Sequence, residues 1–457
     1  MPRYDAIIIG TGQAGPSLAR RLAGSRMKVA IVERKLFGGT CVNTGCIPTK
    51  TLVASAYAAH MARRAADFGV VIDNAIKVDM KAVKARKDAI SGVSREGVEE
   101  SLKTLENCTV YEGHARFVAP HRVAVGDSEL EADRIFINVG GRAAVPPIAG
   151  FDQVPYLTNS SMMEIDFLPR HLVVIGGSYI GLEFAQIYRR FGSEVTVVEM
   201  QPRLIGREDE DVSNAVAEIL ANEGIAVRTN ATCLAVGKRN GAVTVRVDCT
   251  DGPTEVEGSH LLLAVGRRPN TDDLGIESAG VKVDKRGYIE VDDELRTSAP
   301  GIWALGDCNG RGAFTHTSYN DFEIVAANVL GNEPRRVTDR IPAYCLYIDP
   351  PLGRAGMTEA EVRKSGIPAL IATMPMEDVG RAYEKSETQG FMKILVARDS
   401  GHILGASILG LSGDEVIHSI LDLMYAKAPY TVMQRAMHIH PTVSEMLPTL
   451  LEELRPL

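Results

Sequence analysis

Two cysteines stand five positions apart in the run Gly38-Gly39-Thr40-Cys41-Val42-Asn43-Thr44-Gly45-Cys46-Ile47-Pro48-Thr49-Lys50. A regular helix would hold their Cα atoms about 8.6 Å apart, given a rise of ~1.5 Å per residue and a radius of ~2.3 Å. A disulfide needs less than about 7 Å. If Cys41 and Cys46 pair, the chain between them cannot be plain helix, and Gly45 is the residue that permits a distortion. Pro48 suits the first turn of a following helix, where its missing N–H costs nothing. A thiolate at such a loop-to-helix junction is stabilised by the positive helix end. These are the needs of a redox-active pair; two unrelated buried cysteines are the alternative.

The elements around this run repeat one plan. An apolar strand over Tyr4–Ile9 leads into Gly10-Thr11-Gly12-Gln13-Ala14-Gly15, a helix to about Gly24, and a second strand from Lys28 to Val32 that ends at Glu33. That is the βαβ dinucleotide fingerprint in its required context: glycines let the backbone approach a pyrophosphate, and the acid accepts from a ribose. The plan returns at Leu172–Ile175, followed by Gly176-Gly177-Ser178-Tyr179-Ile180-Gly181 and a strand from Val195 to Val198 ending at Glu199. Gly10 to Glu33 and Gly176 to Glu199 span the same 23 positions. Ser178 replaces the usual second glycine with little added bulk. Strands ending at Gly140 and at Gly266 close the two units. Glu199 at its strand end favours a free 2′-hydroxyl over a 2′-phosphate, hence NADH over NADPH, although Arg203 and Arg207 lie close behind.

Composition narrows the class. A chain of 457 residues exceeds one hydrophobic core. A net charge of −8 and a pI near 5.8 argue against nucleic-acid or anionic-membrane partners. No apolar run approaches the ~18 residues that span a bilayer. Seven cysteines scattered over this length make no secreted disulfide framework, which suggests a reducing cytoplasm.

Taken together, the cysteine run, its glycines, Pro48 and Lys50 resemble the active-site segment of the flavoprotein disulfide reductases, the group of dihydrolipoamide dehydrogenase, glutathione reductase and mercuric reductase. The resemblance extends from residue 5 to about residue 450. It implies an α/β fold with two Rossmann-like dinucleotide-binding domains, for FAD and NAD, plus a C-terminal α+β dimerisation domain. The FAD domain would be discontinuous, 1–145 and 275–335, with the NAD(P) domain at 146–274 and the dimerisation domain at 340–457. Thr297–Asp307, an apolar strand ending in Gly306-Asp307, resembles the second flavin motif, with Asp307 on the ribityl and pyrophosphate region. Gly39, Thr40, Ala115 and Gly140 complete the implied FAD contacts, and Gly177, Ile180 and Gly266 those of the nicotinamide nucleotide.

The same resemblance implies a chemistry. Electrons would pass from the nicotinamide through the flavin to a Cys41–Cys46 disulfide, and on to an acceptor by thiol exchange. Cys46 would lie against the flavin and Cys41 would be the outer, attacking thiol. Lys50 would sit near the flavin, held by Glu183, and Tyr179 would gate the nicotinamide pocket. His440, in His440-Pro441-Thr442-Val443-Ser444-Glu445, would serve as the base, oriented by Glu445, and would reach Cys41 from the partner subunit of a homodimer.

No metal site is expected. The acceptor stays open between a small-molecule or protein disulfide and a metal ion. The chain is closest in general pattern to mercuric reductase, yet it ends without that branch's cysteine pair. Dihydrolipoamide dehydrogenase shares the Cys41–Cys46 run, Glu199 and the His440–Glu445 pair. A non-enzymatic, redox-sensing flavoprotein is the contrasting reading. The remaining cysteines, 108, 233, 249, 308 and 345, carry no motif and read as small buried residues.

Overall fold

The computed structural model describes residues 1–248, 254–331 and 333–457; Cys249 lies outside them. Among the described residues the strands form five sheets, and the two parallel systems share the same βαβ opening.

In the first, β1 (Arg3–Ile9), α1 (Ala14–Gly24) and β2 (Val29–Glu33) form the initial unit. They are followed by α2 (Gly39–Asn43), α3 (Cys46–Arg63) and α4 (Met80–Lys103). The sheet runs β3-β2-β1-β6-β5-β4, with β3 at Cys108–Glu112, β4 at Ala115–Ala119, β5 at Arg122–Val125 and β6 at Ser128–Ile137. Strands β3, β2, β1 and β6 pair in parallel. Their continuous apolar runs follow from burial on both faces: Ala6, Ile7 and Ile8 have no exposure at all. β6 stops at Ile137, short of the expected Gly140, whose backbone lies in the left-handed region (φ +63). The late strand Ile302–Ala304 returns to pair in parallel with β6, so the segment carrying Asp307 rejoins the first sheet.

The second system orders Ala226–Arg228, Glu194–Val198, His171–Ile175 and His260–Leu263 as a parallel sheet. α5 (Tyr179–Phe191) and α6 (Glu210–Asn222) are its crossover helices. A three-stranded antiparallel sheet, Thr232–Arg239, Ala242–Asp248 and Glu255–Gly258, sits beside it. Both βαβ units need the same glycine for the same reason. A Cβ on Gly15 would lie 2.2 Å from the Gly10 carbonyl oxygen, and one on Gly181 would lie 2.0 Å from that of Gly176.

α7 (Thr315–Leu330) leads out of the first system into a six-stranded antiparallel sheet. It contains the strands Phe391–Ala397 and Ile403–Leu409, paired with each other, and the helix Gly413–Tyr425 packs on it. Asp349-Pro350-Pro351 lies in the turn of a hairpin joining Ala343–Leu346 to Leu352–Gly356.

Candidate active site

The helix is interrupted between the two cysteines. α2 ends at Thr44 (φ −142), Gly45 adopts φ −134 and ψ −117, and Cys46 opens α3. Gly45 serves here by its missing side chain, because a Cβ would come within 2.9 Å of the Thr40 carbonyl oxygen. Both cysteines are half-buried thiols. The Cys46 sulfur lies 2.9 Å from the hydroxyl of Thr315, the first residue of α7. Two helix N-termini, of α3 and of α7, therefore meet at this sulfur, where their partial positive charge favours an anion. A hydrogen bond from Cys41 holds the Cys46 thiol well below the ordinary range, with Thr315 and the Lys50 charge helping against the opposing effect of burial. The same hydrogen bond, and then burial, push Cys41 up.

Both cysteines line one cavity of about 1030 Å³. Gly10, Gly12, Glu33, Gly39, Thr40, Lys50, Ala115, Gly140 and Asp307, all expected to contact FAD, line it too. Gly15 does not; it packs β1 against α1. The cavity fits a flavin dinucleotide on two counts beyond its volume. The glycine tip is too close-packed for side chains, since a Cβ on Gly39 would lie 2.8 Å from the Gly12 Cα. Asp307 and Arg267, 3.4 Å apart, both line the cavity and offer an acceptor and a donor to a polar chain.

Lys50 donates to both carboxylate oxygens of Glu183 at 2.8 Å. Its ammonium also lies over the ring of Tyr347, 4.5 Å from the centroid, and the Tyr347 amide donates to Glu183 at 3.0 Å. A fixed cation thus stands in the cavity wall that holds Cys46. Tyr179 and Ile180 line the same cavity from the N-terminus of α5.

At the second glycine tip, Gly176, Gly177, Ser178, Gly181, Glu199 and Gly266 lie outside the cavity wall. Ser178 is exposed, so its side chain projects away from the packed strand–helix contact. Glu199 accepts from the amides of Gly177 at 2.6 Å and Gln201 at 2.7 Å. Glu33 plays the same part in the first unit, accepting from Thr11 and Lys35. Arg203 donates to the Glu208 carbonyl at 3.1 Å, which commits one of the two nearby cations to backbone.

His440 and Glu445 form a pair, with Nδ1 3.0 Å from a carboxylate oxygen, but the histidine is 81 % exposed and does not line the cysteine cavity. One chain does not bring His440 to Cys41. Met437 and Ile439 beside it are almost fully exposed, 98 % and 79 %.

Several residues of the site carried no sequence signal. Asn138, Arg267 and Thr315 line the cavity without belonging to any motif. Cys345, read as a bland buried residue, lines it as well, and burial pushes its thiol up. Cys308 is fully buried, its sulfur directed at the Leu305 carbonyl. Among the described residues no group of three or more His, Cys, Asp or Glu is arranged to hold a metal ion, and no helix is long and apolar enough to cross a membrane.

One dinucleotide unit lining the cavity, a second whose helix α5 starts at its wall, and a cysteine pair in that wall define a flavoprotein oxidoreductase working with a pyridine nucleotide. The chain belongs to the pyridine nucleotide-disulphide oxidoreductases: that family's model matches residues 4–321, and the family's dimerisation-domain model matches residues 342–451. It is 36 % identical to the probable pyridine nucleotide-disulfide oxidoreductase RclA of Escherichia coli, over 98 % of each chain. It is 34 % identical to the mercuric reductase of Streptomyces lividans (97 % of this chain, 94 % of the other). The dihydrolipoyl dehydrogenase of Thermus scotoductus is 33 % identical (98 % and 96 %). A solved structure described as the Cu(II) complex of the HOCl-induced flavoprotein disulfide reductase RclA superposes with a TM-score of 0.90 at 34 % identity, covering 99 % of both chains.

Proposed function

We propose that this chain forms a homodimeric, NADH-preferring reductase in which Cys41 and Cys46 carry electrons to a disulfide acceptor. The observation that carries the reading is the placement of Cys46. It lies at two helix N-termini, within the reach of the Lys50 charge, in the wall of the cavity that fits FAD. Bound FAD supplies two-electron chemistry between the nicotinamide and the cysteine pair.

The chain's own residues do the rest. Gly10, Gly12, Gly39, Thr40, Ala115, Gly140 and Asp307 hold the flavin dinucleotide, with Glu33 on its ribose side. Gly176, Gly177, Ser178, Ile180, Gly181 and Gly266 hold the nicotinamide dinucleotide. Lys50, fixed by Glu183, keeps a positive charge beside Cys46. Exchange starts at Cys41, whose proton must leave before the sulfur can attack. Burial and Cys46 hold that proton on, so a base is required. His440 of the partner subunit, oriented by Glu445, is the base we assign. The exposed Met437 and Ile439 beside it support a subunit contact at this face. In one turnover the dithiol gives two electrons and two protons to a disulfide, yielding two thiols and the Cys41–Cys46 disulfide.

Glu199 at its strand end supports NADH over NADPH, because a carboxylate there accepts from a free 2′-hydroxyl and disfavours a 2′-phosphate. Comparing kcat/KM for the two nucleotides tests this; equal values would contradict it. We place the domain bounds at 1–145 with 275–335, 146–274 and 340–457, with the pairing of Gly141–Ala143 and Arg267–Pro269 bridging the first two. A cytoplasmic location suits a catalytic dithiol.

A metal ion is the second acceptor reading, favoured by the Cu(II) complex described for RclA and by the softness of a thiolate pair. The deciding experiment measures NADH oxidation with lipoamide, glutathione disulfide, Cu(II) and Hg(II). Cys41→Ser is expected to abolish turnover with the effective acceptor while NADH still bleaches the flavin. Loss of bleaching in that variant would overturn the assignment of Cys41 as the outer thiol.

A further inference from the structure

Glu208 is a carboxylate with no exposed surface, and no motif accounts for it. It sits just before α6, beside the second dinucleotide unit, yet its partners come from two parts of the molecule. One carboxylate oxygen accepts from the hydroxyl of Tyr179 at 3.0 Å and from that of Tyr344 at 2.5 Å. The other lies 3.5 Å from Nε of Arg354, which is 1 % exposed. Tyr344 and Arg354 face each other across the hairpin of the C-terminal sheet. The Arg354 Nε and Nη2 groups and the second Glu208 oxygen have no hydrogen bond within the protein.

We propose that Glu208 is a positioning residue: it latches Tyr179 in the closed position over the nicotinamide side of the cavity, and Tyr344 tunes the latch by competing for the same oxygen. This rests on reading Tyr179 as a gate. The ring of Tyr179 lines the cavity and packs edge-on against Phe314 and Tyr344, so it must swing aside for a planar ligand to enter. Opening breaks its bond to Glu208. The carboxylate left behind is not stranded, because Tyr344 still donates to it and Arg354 has free N–H groups to turn toward it. A buried charge with such a reserve tolerates the departure of one donor, whereas an isolated one would not. The energy separating closed from open sets the fraction of molecules ready to bind, and apparent affinity scales with that fraction.

The two tyrosines therefore predict shifts of opposite sign in the Kd of NAD+, measured by titration calorimetry on the FAD-loaded protein. Tyr179→Phe keeps the ring but loses the bond, so the gate loosens and Kd falls by about three- to tenfold. Tyr344→Phe removes the competing donor, Tyr179 grips Glu208 more firmly, and Kd rises by roughly threefold. Both variants keep the Glu208–Arg354 pair, so neither strands a buried charge. A merely structural role would lower Tm in both while Kd moved in one direction or stayed put, and that result would overturn the latch. Tyr179→Ala separates the two layers of the argument. If it lowers Kd while Tyr179→Phe does not, the gate stands and the latch fails. If it leaves Kd unchanged, the gate reading itself fails.

Discussion

At the residue scale the chemistry turns on which of two thiols keeps its proton. The hydrogen bond between them lowers Cys46 and raises Cys41, so the pair is pre-sorted into an inner thiolate and an outer thiol. The stabilisation that Cys41 gives the Cys46 thiolate is complete above the ordinary thiol value near 8.5 and is lost as pH falls through the depressed one. Removing the donor shrinks that window from below. In Cys41→Ala, the pH at which Cys46 begins to react with a small alkylating reagent, followed on its peptide by mass spectrometry, should rise by one unit or more. An unchanged profile would assign the low value to Lys50 and the helix ends instead. Thr315 is the residue that could not have been anticipated. It lies 269 positions from Cys46, and nothing in its neighbourhood marks it.

At the element scale, two strand–glycine–helix units do the positioning, and they fail separately. Gly181→Ala places a Cβ 2.0 Å from the Gly176 carbonyl oxygen, which forces α5 off its strand at a cost on the order of 2–3 kcal/mol. Nicotinamide binding should weaken at least tenfold while the protein retains its FAD, as seen by calorimetry and by the flavin absorbance of the purified variant. Equal loss of both would mean that the two units are not independent. These units were legible because their chemistry is local: glycines, strand and terminal acid lie within 24 residues in each. The cysteine run was legible for the same reason, including the broken helix at Gly45. What escaped is assembled by tertiary contact. Arg267 reaches Asp307, and Glu208 meets Tyr344 and Arg354 from another sheet. The proline pair at 350 and 351 lies in a hairpin turn within one sheet, since turn residues mark loops inside a domain as readily as loops between domains.

At the scale of the whole molecule, one chain brings both cysteines, Lys50 and Asp307 to one cavity but leaves His440 outside it. His440 faces outward with Glu445 behind it, beside two exposed apolar side chains, on the domain that the family's dimerisation model matches. On the proposed reading a second copy would complete the site and give the outward-facing histidine its target. Mixing subunits tests this most directly. Cys41→Ser and His440→Ala homodimers should each be inactive with a disulfide acceptor. Unfolded and refolded together in equal amounts, they form mixed dimers in half the cases. Each mixed dimer has one site with Cys41 and the partner's His440 both intact, so activity should return to about a quarter of wild type. Mixtures as inactive as the separate variants would contradict the shared site and return the search for the base to the histidines of the same chain.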